Sequence, residues 1–166
     1  MMATLMFGAT TAMTGCFHDS TARPKAADAP TFKSRALAKD DVDGLSAGFV
    51  VEDTQGRRRT IKRDLDIPRP IEHAWSPNGD LAFLIPPYGP VQIVMKNELS
   101  AWIDGGDPTL AIRKVEDKGP AKQYARLEWM PSGDLRFEAA CCGTTAEVVV
   151  QVPSGKLNLG PWKRVH

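Results

Sequence analysis

The sequence predicts an all-β domain built from antiparallel sheets. Its apolar residues come in short runs of strand length, and several of these runs alternate with polar residues, as in a strand with one buried face. Pro and Gly are plentiful, with 13 and 14 residues, which favours many short elements joined by tight turns. One strand–turn–strand pattern also occurs twice, which indicates repeated units of one sheet architecture.

The repeated unit covers residues 74–83 and again residues 128–137. Trp, Pro, Gly, Asp, Leu and Phe occupy the same positions in both copies. In each copy a strand ends near the Trp, Pro and Gly supply a tight turn, and a second strand leaves with Leu and Phe on one face. We expect Trp75 and Trp129 to fill the space between neighbouring sheets.

Further apolar runs extend this pattern over most of the chain. Residues 91–95 and 147–152 follow the two copies, and residues 49–63 carry a hairpin signal before the first copy. These runs give a predicted β domain with the following bounds: 44–166 overall, with repeats at 71–114 and 124–159.

The two turns also carry a family resemblance. Trp-Ser-Pro-Asn-Gly in the first copy and Trp-Met-Pro-Ser-Gly in the second resemble the Trp-Ser-Pro-Asp-Gly repeats of TolB-like β-propellers. That resemblance implies antiparallel sheets of propeller-blade type, with one unit in each blade. A closed propeller has about four to eight blades, and this chain offers about two and a half copies. We therefore expect a compact two-sheet sandwich or a partial propeller, with a homodimer or a partner protein covering the open side.

The N-terminal region predicts a lipoprotein. Residues 1–15 have the length and apolar character of a signal peptide. They end in Ala-Met-Thr-Gly before Cys16, which resembles the lipobox of bacterial lipoproteins. The resemblance implies a lipid on Cys16 and, because Phe17 follows, an outer-membrane location facing the periplasm. Residues 16–43 are poor in large apolar side chains, so they predict a lipidated cysteine followed by a flexible tether.

The charge balance argues against a nucleic-acid-binding protein. The chain has 21 Lys and Arg against 20 Asp and Glu, a net charge of +1, whereas nucleic-acid-binding domains carry a clear basic excess. The sequence has no metal-ligand spacing, no phosphate-binding Gly loop and no nucleophile elbow. It therefore predicts no metal, no cofactor and no catalytic residue.

Cys141 and Cys142 are adjacent and precede a glycine. In an oxidising envelope compartment they are a candidate vicinal disulfide. Such a bond needs a distorted turn, because neighbouring Cα atoms lie about 3.8 Å apart, below the usual range for disulfides. The alternative is two reduced cysteines on opposite faces of a strand end.

Candidate partner contacts come from a basic run and from two aromatic residues. Arg57 and Arg59 belong to a cationic run over residues 57–63, on a predicted strand that would point cations to both faces. Such a strand is either a charge-protected sheet edge or a surface for an acidic partner or anionic lipid. Tyr88, in a Pro-rich loop, and Trp102, in a later connection, are candidate binding anchors; the alternative is that these aromatic side chains fill the core.

We therefore expect a non-enzymatic envelope lipoprotein whose β domain binds a partner protein. One version is an immunity protein that neutralises a toxin, and another is an accessory subunit of an envelope complex. The alternative from a different class is a hydrolase that uses His73 with nearby carboxylates, since Glu72 is its neighbour in sequence.

Overall fold

The computed structural model describes residues 31–37, 46–64, 71–85, 89–113, 115 and 123–165. Within these residues the secondary structure is almost entirely β, with one short helix, α1 (Leu99–Ile103), that follows a 3₁₀ turn (Lys96–Glu98). The strands are β1 (Phe32–Ala36), β2 (Ser46–Asp53), β3 (Arg58–Asp64), β4 (Glu72–Trp75), β5 (Leu81–Leu84), β6 (Val91–Val94), β7 (Leu110–Ile112), β8 (Gln123–Trp129), β9 (Leu135–Cys141), β10 (Thr144–Gln151), β11 (Lys156–Leu159) and β12 (Lys163–Arg164).

The strands form three sheets in chain order. The N-terminal sheet has the order β1-β2-β3, the middle sheet β4-β5-β6-β7 and the C-terminal sheet β11-β10-β9-β8, with β12 also paired to β10. Every pairing is antiparallel. The all-β prediction is confirmed, and the described strands close no barrel. The predicted sandwich has two sheets, whereas the described strands form three. The additional sheet is the N-terminal one, in which β1 pairs with the β2–β3 hairpin.

The middle sheet is buried on both faces. Leu81 and Phe83 of β5 join the core against the N-terminal sheet and α1. Ala82 and Leu84, which alternate with them, join the core against the C-terminal sheet. This explains why β5 is a continuous apolar run, since a strand covered on both sides has no polar face.

The two copies of the repeat form the same turn. In the first copy Ser76 N–H bonds to Asp80 C=O at 2.8 Å, and Gly79 N–H bonds back to Ser76 C=O at 3.0 Å. In the second copy, residues 130–134 make the equivalent bonds at 2.8 and 2.9 Å. Residues 53–57, between β2 and β3, repeat the pattern at 3.0 and 3.1 Å. In all three turns the glycine has a positive φ, between 81° and 91°, which explains why glycine occupies that place.

The repeat tryptophans connect neighbouring sheets. Trp75 Nε1 donates to Ser34 Oγ on β1 at 2.9 Å, and Trp129 Nε1 donates to Ala74 C=O on β4 at 3.0 Å. Each indole N–H therefore bonds to the sheet that precedes its own. Both rings are partly buried and pack against the cores, as amphipathic aromatic side chains do at such junctions.

The N-terminal sheet corrects one predicted boundary. Residues 16–43 were expected to be a flexible tether, but residues 32–36 form β1 and pair with β2 from Phe32↔Asp53 to Ala36↔Phe49. The low apolar content of this segment did not predict β1, because a short strand needs few apolar side chains when a neighbouring strand supplies its backbone hydrogen bonds. The predicted signal peptide, Cys16 and residues 17–30 and 38–43 of the predicted tether lie outside the described residues.

Candidate binding surface

The Arg57 guanidinium binds two carboxylates of the domain, so it is not a free surface cation. Its Nε donates to Asp53 Oδ2 at 2.8 Å, and its Nη1 reaches Asp104 Oδ2 at 2.9 Å. Burial raises the pKa of the Asp53 carboxyl, but hydrogen bonds from Arg57 and from the backbone of Gln55 outweigh burial and leave the pKa below its ordinary value. Its guanidinium therefore joins the loop after α1 to the β2–β3 turn, and its role as a partner contact stays a prediction.

Arg59 is committed to the same loop. Its Nη1 donates to the carbonyl oxygens of Trp102 and of Gly106, the latter at 2.7 Å. Its guanidinium carbon lies 4.6 Å from the centre of the Trp102 ring, within cation–π range. Both hydrogen bonds come from Nη1, so Arg59 holds this loop against β3, and its role as a partner contact stays a prediction.

Trp102 and Tyr88 have different outcomes. The Trp102 side chain is 1% exposed and its ring centre lies 5.7 Å from that of Phe83. It is a core residue, so its prediction as a binding anchor is wrong. Tyr88 lies outside the described residues and stays a prediction.

The outward side chains of the N-terminal sheet present the remaining cations. The register places Arg58 beside Glu52, and Glu52 beside Lys33 on β1. Alternation along the strands puts Arg35 one outward row further on and Lys62 two outward rows further on. We call this set the cationic face, and its charged members are Lys33, Arg35, Glu52, Arg58 and Lys62.

Two residues of the cationic face have no ion-pair partner among the described residues. Glu52 is shared by Lys33, at 3.0 Å, and by Arg35 Nε, at 4.0 Å. Arg58 and Lys62 are exposed and make no ion pair with any residue that the structure describes. The alternation along β3 separates these two outward cations from Arg59, which lies on the opposite face of the strand.

The outer face of the C-terminal sheet is charged, and its cations on β8 and β9 form ion pairs within the sheet. Arg136 pairs with Glu128 and lies 3.6 Å from Glu147, while Arg126 pairs with Glu138 at 3.0 Å. These side chains line a shallow groove of about 490 Å³. The cations of β8 and β9 there each face a carboxylate, whereas Lys163 of β12, which also lines the groove, is exposed and makes no ion pair among the described residues.

Glu72, the carboxylate expected beside His73, accepts hydrogen bonds from the backbone of β8. Glu72 Oε2 accepts the backbone N–H groups of Arg126, at 2.6 Å, and Leu127, at 3.2 Å. Both lie where β8 shifts register and Arg126 has a φ of 61°, so the carboxylate satisfies donors freed by a bulge. The Glu72 carboxylate therefore joins the middle sheet to the C-terminal sheet and is not hydrogen-bonded to His73, the partner that the hydrolase hypothesis expects.

His73 belongs to a cluster that holds β1. Its Nε2 lies 2.9 Å from Ser34 Oγ, the atom that also accepts from Trp75. The imidazole stacks on Phe49 with ring centres 4.2 Å apart. Burial lowers the pKa of His73, and a hydrogen bond with the Ile71 backbone only partly opposes this. The neutral ring is therefore the form that this cluster stabilises.

This shift predicts a pH dependence of stability. Because the folded pKa of His73 lies below the ordinary 6.5, the unfolded chain binds the proton more readily. The free energy of unfolding should be constant with respect to this group above about pH 6.5 and fall as the pH drops towards the folded pKa. Urea midpoints at about pH 7.5 and about pH 5.5 measure the difference.

The control variant is His73→Phe, which keeps a ring against Phe49 and removes the titration. Its urea midpoint should fall less between the two pH values than that of the wild-type chain. Equal falls in the two proteins would show that His73 makes no contribution.

Cys141 and Cys142 form a disulfide bond. They stand where β9 ends, and Cys142 and Gly143 make the connection to β10 with φ values of 55° and 75°. Two consecutive positive φ values are what a two-residue type I′ hairpin requires. Cys142 is exposed, so the bond forms the tip of the hairpin.

The described residues hold no group of three or more His, Cys, Asp or Glu placed to bind a metal ion. No helix among them has the length and apolar character needed to cross a membrane. Comparison with known proteins finds no matching family model, no matching curated protein and no matching solved structure.

Proposed function

We propose that this chain is a lipid-anchored envelope protein whose β domain binds a partner protein through the cationic face. The observation that carries the proposal is that the cations of the basic run fall into two groups with different contacts. Arg57 and Arg59 form hydrogen bonds within the domain. Arg58 and Lys62 are exposed and have no described counter-ion. Cations on a rigid sheet steer and orient an acidic partner.

The rest of the described surface supports a polar mode of binding. Val165 is the exposed large apolar side chain of the described residues, so they form no extended apolar patch of the kind that marks an obligate interface. The outer sides of both terminal sheets carry charged side chains, which is how the end units of a repeat stack remain soluble. A charge-directed complex between separately folded proteins fits such a surface.

A pull-down from envelope extract tests the proposal. The full-length chain should capture one stoichiometric partner, identified by mass spectrometry, and R58E/K62E should lose most of it. K163E/R164E is the matched control, since it reverses two exposed cations on β12 and should bind like the wild type. The identity of the partner separates an immunity protein, which captures a toxin, from an accessory subunit, which captures a component of an envelope complex.

A blank from the folded wild-type chain would contradict the proposed function. Equal capture by R58E/K62E and by the wild type would keep partner binding but remove the cationic face as its site.

A further inference from the structure

We propose that the outer edge of β3 accepts an extended acidic segment of the partner, which adds a fourth strand to the N-terminal sheet. The inference rests on the proposed function and names the place and chemistry of its contact. Addition of a strand to a sheet edge is a common mode of peptide recognition, in which backbone hydrogen bonds give affinity and side chains give specificity.

The first observation is the strand count of the three sheets. Among the described residues the middle sheet has four strands and the C-terminal sheet five, whereas the N-terminal sheet has three. β3 is seven residues long and pairs with β2 on one side. On its other side no described strand pairs with it, so within the described residues β3 forms an edge whose backbone N–H and C=O groups can pair with an added strand.

The second observation is the positive sign of the outward charges along that edge. Natural sheets protect their edges with cations, and this is the competing explanation for the basic run. Outward Arg58 and Lys62 repel a basic strand but attract an acidic one. Because Arg59 on the opposite face of β3 is already bonded to the carbonyls after α1, it does not obstruct an incoming strand.

The third observation is that the edge is held in place before binding. The turn at residues 53–57 fixes the start of β3 through two backbone hydrogen bonds. Arg59 fastens its inner face to Trp102 and Gly106, and Ile61, 9% exposed, packs in the core. A strand that is already straight and anchored loses little conformational entropy when another strand is added.

These contacts define the segment that would fit. Side chains of an added strand alternate between the two sheet faces. Acidic residues on the outward face would lie beside Arg58 and Lys62, and apolar residues on the inward face would extend the core near Ile61. The segment is therefore an extended stretch of alternating acidic and apolar residues, about as long as β3.

Fluorescence anisotropy of a labelled peptide tests this directly. The probe is a peptide of alternating Glu and Val, as long as β3, titrated with the full-length chain. Its controls are the same peptide fully N-methylated on the backbone, which keeps the charge and removes the N–H donors, and a Lys–Val peptide. The protein variants are R58E/K62E and the matched K163E/R164E.

We expect the wild-type chain and K163E/R164E to bind the Glu–Val peptide with dissociation constants within about twofold of each other. R58E/K62E should bind it at least about tenfold more weakly. The N-methylated and Lys–Val peptides should not bind measurably. Hydrogen exchange should show new protection of β3 amides when the Glu–Val peptide is added, as expected for a paired edge.

Other results would overturn the edge assignment. Equal binding of the N-methylated peptide would mean that charge alone is recognised, without strand addition. Binding to phosphatidylglycerol vesicles together with no binding of the Glu–Val peptide would make the cationic face a lipid surface. Loss of peptide binding beside a positive pull-down would refute the β3 edge and leave the proposed function standing.

Discussion

Replacing Trp102 by Ala should lower the free energy of unfolding by about 3–5 kcal/mol, the usual cost of removing a fully buried aromatic side chain. Trp102 is 1% exposed and packs in the core between the N-terminal and middle sheets. The substitution leaves a cavity beside Phe83 and removes the ring beneath Arg59. Urea unfolding, followed by circular dichroism, measures the loss as a lower midpoint.

The control for this experiment is Val165→Ala, at a side chain that is 63% exposed. It should change the free energy of unfolding by no more than about 0.5 kcal/mol. A Trp102→Ala protein as stable as the wild type, but unable to capture the partner, would restore Trp102 as a binding anchor and contradict its place in the core.

The experiment also separates what the sequence predicts well from what it does not. Turns were predictable because their chemistry is local: Pro, Gly and Asp at fixed spacing give the same hydrogen bonds at residues 76–80 and 130–134. The burial of Trp102 was not predictable in this way. It depends on α1 lying beneath β3, and the residues that hold α1 there, Arg57 and Arg59, are more than 40 positions away in the chain.

The same limit applies to the candidate surface. The alternation along β3 separates Arg58 and Lys62 from Arg59, but only the pairing with β2 shows which set faces the core, since Phe49 lies opposite Ile61. β1 was missed for a related reason. Its sequence holds one large apolar residue, and its place in the sheet comes from β2 and from the Ser34 cluster.

The repeat provides its own matched pair of variants for a second prediction. Asp80 and Asp134 occupy the same position in the two copies, but their surroundings differ. Asp80 is 6% exposed; its Oδ1 accepts the Lys96 N–H at 2.9 Å and its Oδ2 accepts the Ser76 hydroxyl at 3.0 Å. It therefore joins the β4–β5 turn to the segment that follows β6.

Asp80→Ala should lower the free energy of unfolding by about 2–3 kcal/mol, because the Lys96 N–H and the Ser76 hydroxyl lose a charged acceptor in a buried place. Asp134→Ala should cost no more than about 1 kcal/mol. Its contact, a hydrogen bond from Ser132 Oγ at 3.1 Å, is exposed to solvent, and water replaces it. The difference between the two urea midpoints is the quantity to measure.

Equal losses in the two variants would mean that the Asp serves only the local turn, which both copies share. The expected inequality would locate the cost in the long-range bond to Lys96, which the second copy lacks. Two residues differ inside the turn: Ser76 and Asn78 of the first copy are replaced by Met130 and Ser132 in the second. The Ser76 hydroxyl is what orients Asp80 towards Lys96. A Ser76→Ala variant should therefore lose part of the stability that Asp80→Ala loses, whereas Met130→Ala should not reproduce that loss through Asp134.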